Sequence, residues 1–299
     1  MRVFITGGTG LVGSAVVAGL LDHGHTVLAL TRSDASTAAA EKAGAETIRG
    51  SLQDLDVLRA GAAQVDGVIH LAFGHDFSSA EAVAKSVAEE TAALETLGEA
   101  LVGTDRPFVT VSGTPAAYDA AGSVRPSTEA DDLPVDGLVG GRSRAVAKVI
   151  ALAGRGVRSS AVRLPRTVHN RGDGGFAGLL VQMARAAGVV TYPGDGSQRW
   201  PAVHALDAAV LFRLALENAE AGTCWHAVAD EGDQVADIAE VIGRRLELPV
   251  KAVSVEEFGP LGQIFAADQP SSSAHTRQTL GWQPKHPSLL ADLENVQPA

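Results

Sequence analysis

Residues 3–13 read Val-Phe-Ile-Thr-Gly-Gly-Thr-Gly-Leu-Val-Gly. Gly8, Gly10 and Gly13 satisfy G-x-G-x-x-G, and Gly7, Gly10 and Gly13 satisfy the looser T-G-x-x-G-x-x-G. Glycines at this spacing let the backbone turn tightly, approach a pyrophosphate and hold a helix close to a strand. The helix that follows offers free N–H groups and the positive end of its dipole to phosphates. Gly7, Thr9, Gly10, Leu11, Val12 and Gly13 are therefore candidate dinucleotide contacts. A second chemical signal lies at the end of the next apolar run. Where an NAD site carries an acidic residue for the ribose hydroxyls, this chain has Thr31-Arg32-Ser33. Arg32 can pair with a 2′-phosphate and Ser33 can add a hydroxyl, which favours NADP(H) over NAD(H). Asp34 is close enough to neutralise Arg32 or to reach the ribose itself.

These residues need a scaffold, and the apolar pattern supplies one. Short apolar strands are expected at 3–6, 26–31, 46–49, 67–71, 108–112 and 160–164, with helices at 11–23, 35–43, 54–63, 78–102 and 138–154. Nearly continuous apolar strands alternating with helices indicate a parallel sheet covered on both faces, the Rossmann-type doubly wound α/β arrangement. From about 165 the pattern changes to Gly-, Asp- and Pro-rich loops, helices at 176–187, 205–218, 234–246 and 287–294, and short strands near 189–192, 223–228 and 250–254. This reads as a dinucleotide-binding domain over 1–165 and a smaller C-terminal α/β substrate lobe over 166–299, interleaved with the last sheet strands. Ligands of such folds sit at the carboxyl ends of the strands. That edge holds the glycine turn, Arg32, Leu52, Ala72–Phe73, Ser112–Thr114 and Pro165–His169.

The landmarks resemble the extended short-chain dehydrogenases/reductases, the epimerase/dehydratase-like group. Thr6–Gly13 resembles that family's opening motif. Gly50-Ser51-Leu52-Gln53-Asp54 stands at its adenine-contacting segment, with Ser51 in place of an Asp. Val68–Ala72 resembles its fourth strand, and Val111-Ser112-Gly113-Thr114 with Tyr118 its fifth. Arg163-Leu164-Pro165, Arg199–Asp207 and Leu280-Gly281-Trp282-Gln283-Pro284 resemble later landmarks. The resemblance implies that Leu52, Leu71, Ala72, Phe73, Ser112 and Pro165 flank the cofactor. It implies that Thr114 holds a substrate carbonyl and that Lys148 bonds the nicotinamide ribose.

One departure is as informative. Neither tyrosine, Tyr118 or Tyr192, has Lys four residues on, and Arg144 stands four before Lys148 where the family has its tyrosine. Arginine stays charged at any accessible pH and cannot pass a proton to a carbonyl oxygen. This resembles atypical members that keep the dinucleotide fold without the usual catalytic residues. Tyr118, His169 or water then becomes the proton donor, and for each side chain a plain packing role is the alternative. His204, Arg199 and Trp200 are candidates to line the cleft, and Asp207 to brace its helix.

The expected activity is NADPH-dependent reduction of a C=O, C=N or activated C=C in a small-molecule substrate. A non-catalytic NADP(H)-binding sensor or scaffold and a nucleotide-sugar epimerase or dehydratase stand as alternatives. The charge of −11 argues against a nucleic-acid partner or an anionic membrane surface. A single cysteine, Cys224, gives no disulfide framework, and the nine histidines show no metal spacing, so no metal is expected. No apolar run reaches a membrane span, and residues 1–5 already read as a core strand, so a cytoplasmic protein without a signal peptide is expected. The Ala-rich sides of 78–102 and 138–154 suit either a homodimer interface or packing on the sheet.

Overall fold

The computed structural model describes residues 1–74, 76, 79–136 and 140–298. In chain order it runs β1 (Arg2–Thr6), α1 (Leu11–Asp22), β2 (Thr26–Thr31), α2 (Asp34–Lys42), β3 (Glu46–Arg49), α3 (Leu55–Ala63), β4 (Gly67–His70), α4 (Ala80–Glu99) and β5 (Pro107–Gly113). A two-residue hairpin, β6 (Ala117–Tyr118) and β7 (Val124–Arg125), precedes α5 (Gly140–Ala151) and β8 (Arg158–Leu164). Then come β9 (Thr167–His169), α6 (Gly175–Ala187), β10 (Val190–Pro193), β11 (Arg199–His204), α7 (Ala205–Asn218) and β12 (Thr223–His226). The chain closes with β13 (Asp230–Gln234), α8 (Val235–Leu246), β14 (Val250–Val253), α9 (Gly262–Phe265), α10 (Ala274–Leu280) and α11 (Leu289–Leu293). Ser78, Leu138 and Val139, expected to open two of the helices, lie outside the described residues.

Seven strands form the central sheet in the order β12-β8-β5-β4-β1-β2-β3, and every neighbouring pair is parallel. Strand order reverses beside β1, which lies between β2 and β4. Val3, Phe4 and Ile5 of β1 are all fully buried, as expected of a strand covered on both faces. One face packs α1 and α7 through Val16, Leu20, Leu211 and Phe212. The other packs α3, α4 and α5 through Leu58, Leu94, Leu97 and Val149. A separate core in the C-terminal half gathers Leu180, Trp200, Ile238, Ile242, Phe265 and Leu293. Between the halves the chain returns to the first sheet, because β12 supplies its edge strand.

Several strands differ from the sequence reading. β9, β11 and β13 form a three-stranded sheet of their own, and β10 pairs with β14. β13 is Asp-Glu-Gly-Asp-Gln, with no apolar alternation to announce it. No helix among the described residues is long and apolar enough to cross a membrane.

Candidate functional site

The turn after β1 is set by two glycines. Gly7 has φ +74°, and a Cβ there would come within 2.8 Å of the Ala72 backbone nitrogen. A Cβ at Gly13 would overlap the Gly7 carbonyl oxygen. Both must be glycine for the turn to close. Gly10 is different. Its φ of −76° and ψ of 176° suit any residue, and a Cβ would meet only the Gly7 oxygen, at an ordinary 3.6 Å. Nothing in the protein requires glycine at this exposed N-cap of α1. No side chain caps the helix, whose first turn holds no acidic residue. A bare, uncapped helix start that a Cβ would partly fill fits the close approach of a pyrophosphate.

Arg32 follows β2 directly, is exposed, and has no hydrogen-bond or ion-pair partner among the described residues. Asp34 does not neutralise it, because Asp34 pairs with Arg49 at 2.9 Å. Arg49 stands opposite Thr31 in the β2–β3 register, so two guanidinium groups share the carboxyl ends of these strands. The sequence reading missed Arg49, since its register only exists once the sheet is formed. Ser33, expected to contact the cofactor, has a structural role as well. Its hydroxyl caps α2, accepting from Ser36 N at 3.2 Å in a capping box. Ser51 and Asp54 close the turn after β3 on each other, with Asp54 accepting from Ser51 N and Oγ at 2.7 and 2.8 Å. These bonds, the side-chain one first, hold the Asp54 carboxyl below its usual pKa.

The ends of β4 and β5 form the next wall. Leu71, Ala72 and Phe73 are half-buried there, and Phe73 lies under Arg142 with the guanidinium carbon 4.0 Å from the ring centre. Arg142 forms a two-point bond to the buried Glu90 at 2.7 and 2.8 Å. Burial raises the Glu90 pKa, and Arg142 opposes that shift. His70 is fully buried, its Nδ1 2.9 Å from Thr6 Oγ1. Burial, aided by the charge of Arg142, pulls its pKa down to about 3, so the folded protein keeps it neutral. The unfolded chain takes up a proton near pH 6.5. Stability is therefore full above that value and falls as pH drops toward 3, at about 1.4 kcal/mol per pH unit. Between pH 6 and 4.5, urea unfolding of the wild type should lose about 2 kcal/mol more than that of His70→Gln. Parallel pH profiles would show that His70 is not held neutral.

Ser112 and Thr114 at the carboxyl end of β5 are buried, and neither hydroxyl oxygen has a hydrogen-bond partner among the described residues. Unpaired buried hydroxyls on a ligand-binding strand edge suit groups brought in by a ligand. Pro165 is buried beside them after β8, and Thr114 N donates to Leu164 O at 3.0 Å.

The other expected catalytic residues do not join this edge. Lys148, expected at the nicotinamide ribose, has a side chain that is 63% exposed and pairs with Glu95 of α4 at 2.7 Å. Arg144 donates to the Val135 carbonyl and braces the loop before α5. Tyr118 is 58% exposed on the β6–β7 hairpin. His169 is 1% exposed, and its Nδ1 lies 2.9 Å from Asp292 Oδ2. Its Nε2 is buried with no hydrogen-bond partner among the described residues. Its ring meets His204 edge-on at 5.4 Å, and His204 stacks on His286 at 4.9 Å. His204 caps α7, accepting from Leu206 N at 3.2 Å. Asp207 holds Lys285 N, His286 N and His286 Nδ1 at 2.9, 2.9 and 2.8 Å. Trp200 is fully buried, and Arg199 is tied to Asp268 at 2.8 and 3.1 Å, so neither is free to line a cleft. No metal-holding group of three ligands occurs among the described residues.

Comparison with known proteins follows the same lines. The model of the NAD dependent epimerase/dehydratase family matches residues 3–228. An uncharacterized protein of Schizosaccharomyces pombe is 44% identical over 98% of each chain. The 2-alkyl-3-oxoalkanoate reductase of Stenotrophomonas maltophilia is 30% identical over 73% of this chain and 66% of its own. The solved UDP-glucose 4-epimerase of Thermotoga maritima superposes with a TM-score of 0.76 at 19% identity, covering 99% of this chain and 97% of that one. At that identity the likeness concerns the fold.

Proposed function

The chain belongs to the NAD-dependent epimerase/dehydratase family, and on that premise we propose that it is a reductase using NADPH to reduce a C=O, C=N or activated C=C of a small metabolite. The observation that carries the cofactor half is the bare N-cap at Gly10 together with the unpaired Arg32. A bound reduced nicotinamide would supply the hydride. The chain's own residues do the rest. The N–H groups at the start of α1 receive the pyrophosphate. Arg32, with Arg49 beside it, receives a 2′-phosphate. The unpaired hydroxyl of Thr114 bonds the substrate oxygen as negative charge grows on it. The proton then comes from water at the open strand ends.

The likeness to a named reductase supports this reading. An epimerase would need a base where Tyr-x-x-x-Lys normally stands, and Arg144 and Lys148 are engaged elsewhere. The diversion of Lys148 also favours a second reading, a protein that binds NADP(H) without chemistry. Calorimetry separates the cofactor question from catalysis. NADPH should bind more tightly than NADH. Arg32→Ala should weaken NADPH on the order of tenfold and leave NADH within about twofold. Equal loss for both cofactors would remove the 2′-phosphate role. NADPH binding with no oxidation across a broad carbonyl and imine panel would favour the non-catalytic reading.

A further inference from the structure

Arg166 is a half-buried cation at the strand ends that pairs with no carboxylate among the described residues. It follows Pro165 and lies between β8 and β9. Its Nε donates to Gln269 Oε1 at 2.8 Å and one terminal nitrogen donates to Ile264 O at 2.8 Å. The guanidinium carbon sits 4.9 Å from the centre of the Phe176 ring. The other terminal nitrogen makes no hydrogen bond among the described residues. Burial alone pulls its pKa down to about 10, and no acidic group acts against that shift. Asp268, one residue before Gln269, is committed to Arg199 through its backbone N at 2.7 Å and its guanidinium at 2.8 and 3.1 Å. The carboxylate of Asp173, nearby in sequence, accepts from Gly174 N at 2.8 Å.

Gln269 links this cation to the reaction edge, for its amide also donates to the Thr114 carbonyl. One glutamine therefore fixes both the arginine fork and the strand end whose hydroxyl is unpaired. A half-buried charge held only on neutral acceptors gains from an anion at its remaining edge. A guanidinium fixed on two sides, with one edge left over, suits an incoming carboxylate.

We propose that Arg166 is a specificity residue that binds the carboxylate of an acidic substrate, an oxo acid or its imine counterpart, and orients the reducible group toward Thr114. This deepens the reductase reading and rests on it for the nature of the reducible group. The Phe176 ring beneath the guanidinium helps to hold it in place.

The test uses the full chain, with and without saturating NADP⁺, and calorimetry. Pyruvate, acetoacetate and benzoate are each titrated against a neutral counterpart, the corresponding methyl ester or amide. At least one carboxylate should bind tenfold or more tightly than its counterpart, and Arg166→Gln should abolish the preference, weakening that carboxylate on the order of thirtyfold. Arg166→Lys keeps the charge but loses the fork and should recover part of the preference, which also covers the case in which the glutamine variant folds poorly. NADPH affinity should be unchanged in both variants. A carboxylate preference that is absent, or that survives Arg166→Gln, overturns the proposal. So does a parallel loss of NADPH affinity, which would assign Arg166 to a cofactor phosphate. If carboxylates bind through Arg166 while NADPH is never oxidised, the carboxylate site stands and the reductase reading falls.

Discussion

Gly10→Ala should abolish tight cofactor binding in a protein that remains fully folded. The substituted residue keeps allowed backbone angles, and its Cβ meets one carbonyl oxygen at 3.6 Å, so the protein itself accepts it. A pyrophosphate resting on the N-terminus of α1 would not, because the methyl occupies the line of approach. Affinity for NADPH and NADH should fall together, on the order of a hundredfold, while the melting temperature moves by about a degree or less. The contrast is Gly13→Ala, whose Cβ overlaps the Gly7 carbonyl. That variant should lose both stability and binding. Calorimetry with a thermal melt decides the matter: if Gly10→Ala binds NADPH like the wild type, the glycine turn is architecture only.

Asp207→Ala should destabilise the protein by about 3 kcal/mol without touching the strand ends. Asp207 is 2% exposed and accepts three hydrogen bonds from residues 285 and 286. Removing the carboxylate strands two backbone N–H groups and frees the His286 ring from its stack on His204. Trp282 Nε1 still bonds the Asp207 carbonyl at 2.9 Å, so the segment is loosened and not lost. Asp207→Asn should recover about half of the loss, since an amide keeps one acceptor oxygen. Urea unfolding reads both effects. An unchanged midpoint in Asp207→Ala would mean that the C-terminal segment docks by its apolar contacts alone.

The sequence made the central sheet readable because its strands are buried on both faces and its helices have one apolar side. The ranges 26–31 and 205–218 agree with the reading residue for residue. β11 was legible only as a motif, since Pro201 interrupts it and its partners β9 and β13 are three and five residues long. The glycine turn was legible because its chemistry is local. The rest of the site depends on partners far along the chain. Arg199 is neutralised by a residue 69 positions away, and Arg166 is fixed by one 103 positions away. Lys148 depends on a distant partner as well: a four-residue spacing predicts which residues share a helix face, but not its ion pair with Glu95 on α4. His169 was placed correctly after β8 and Pro165, yet β9 pairs with β11 and turns the ring toward Asp292.

The position of β12 bears on how the molecule is made. Its four residues pair with β8, yet they are translated only after β9, α6, β10, β11 and α7. While the chain grows, one margin of the parallel sheet waits unpaired, with Ser160, Ala161 and Val162 available to any extended segment that passes. Pairings this distant in sequence close slowly, because the loop between them must be ordered before any contact rewards it. Late edge closure makes this flank the point where misassembly and chaperone capture would begin during synthesis.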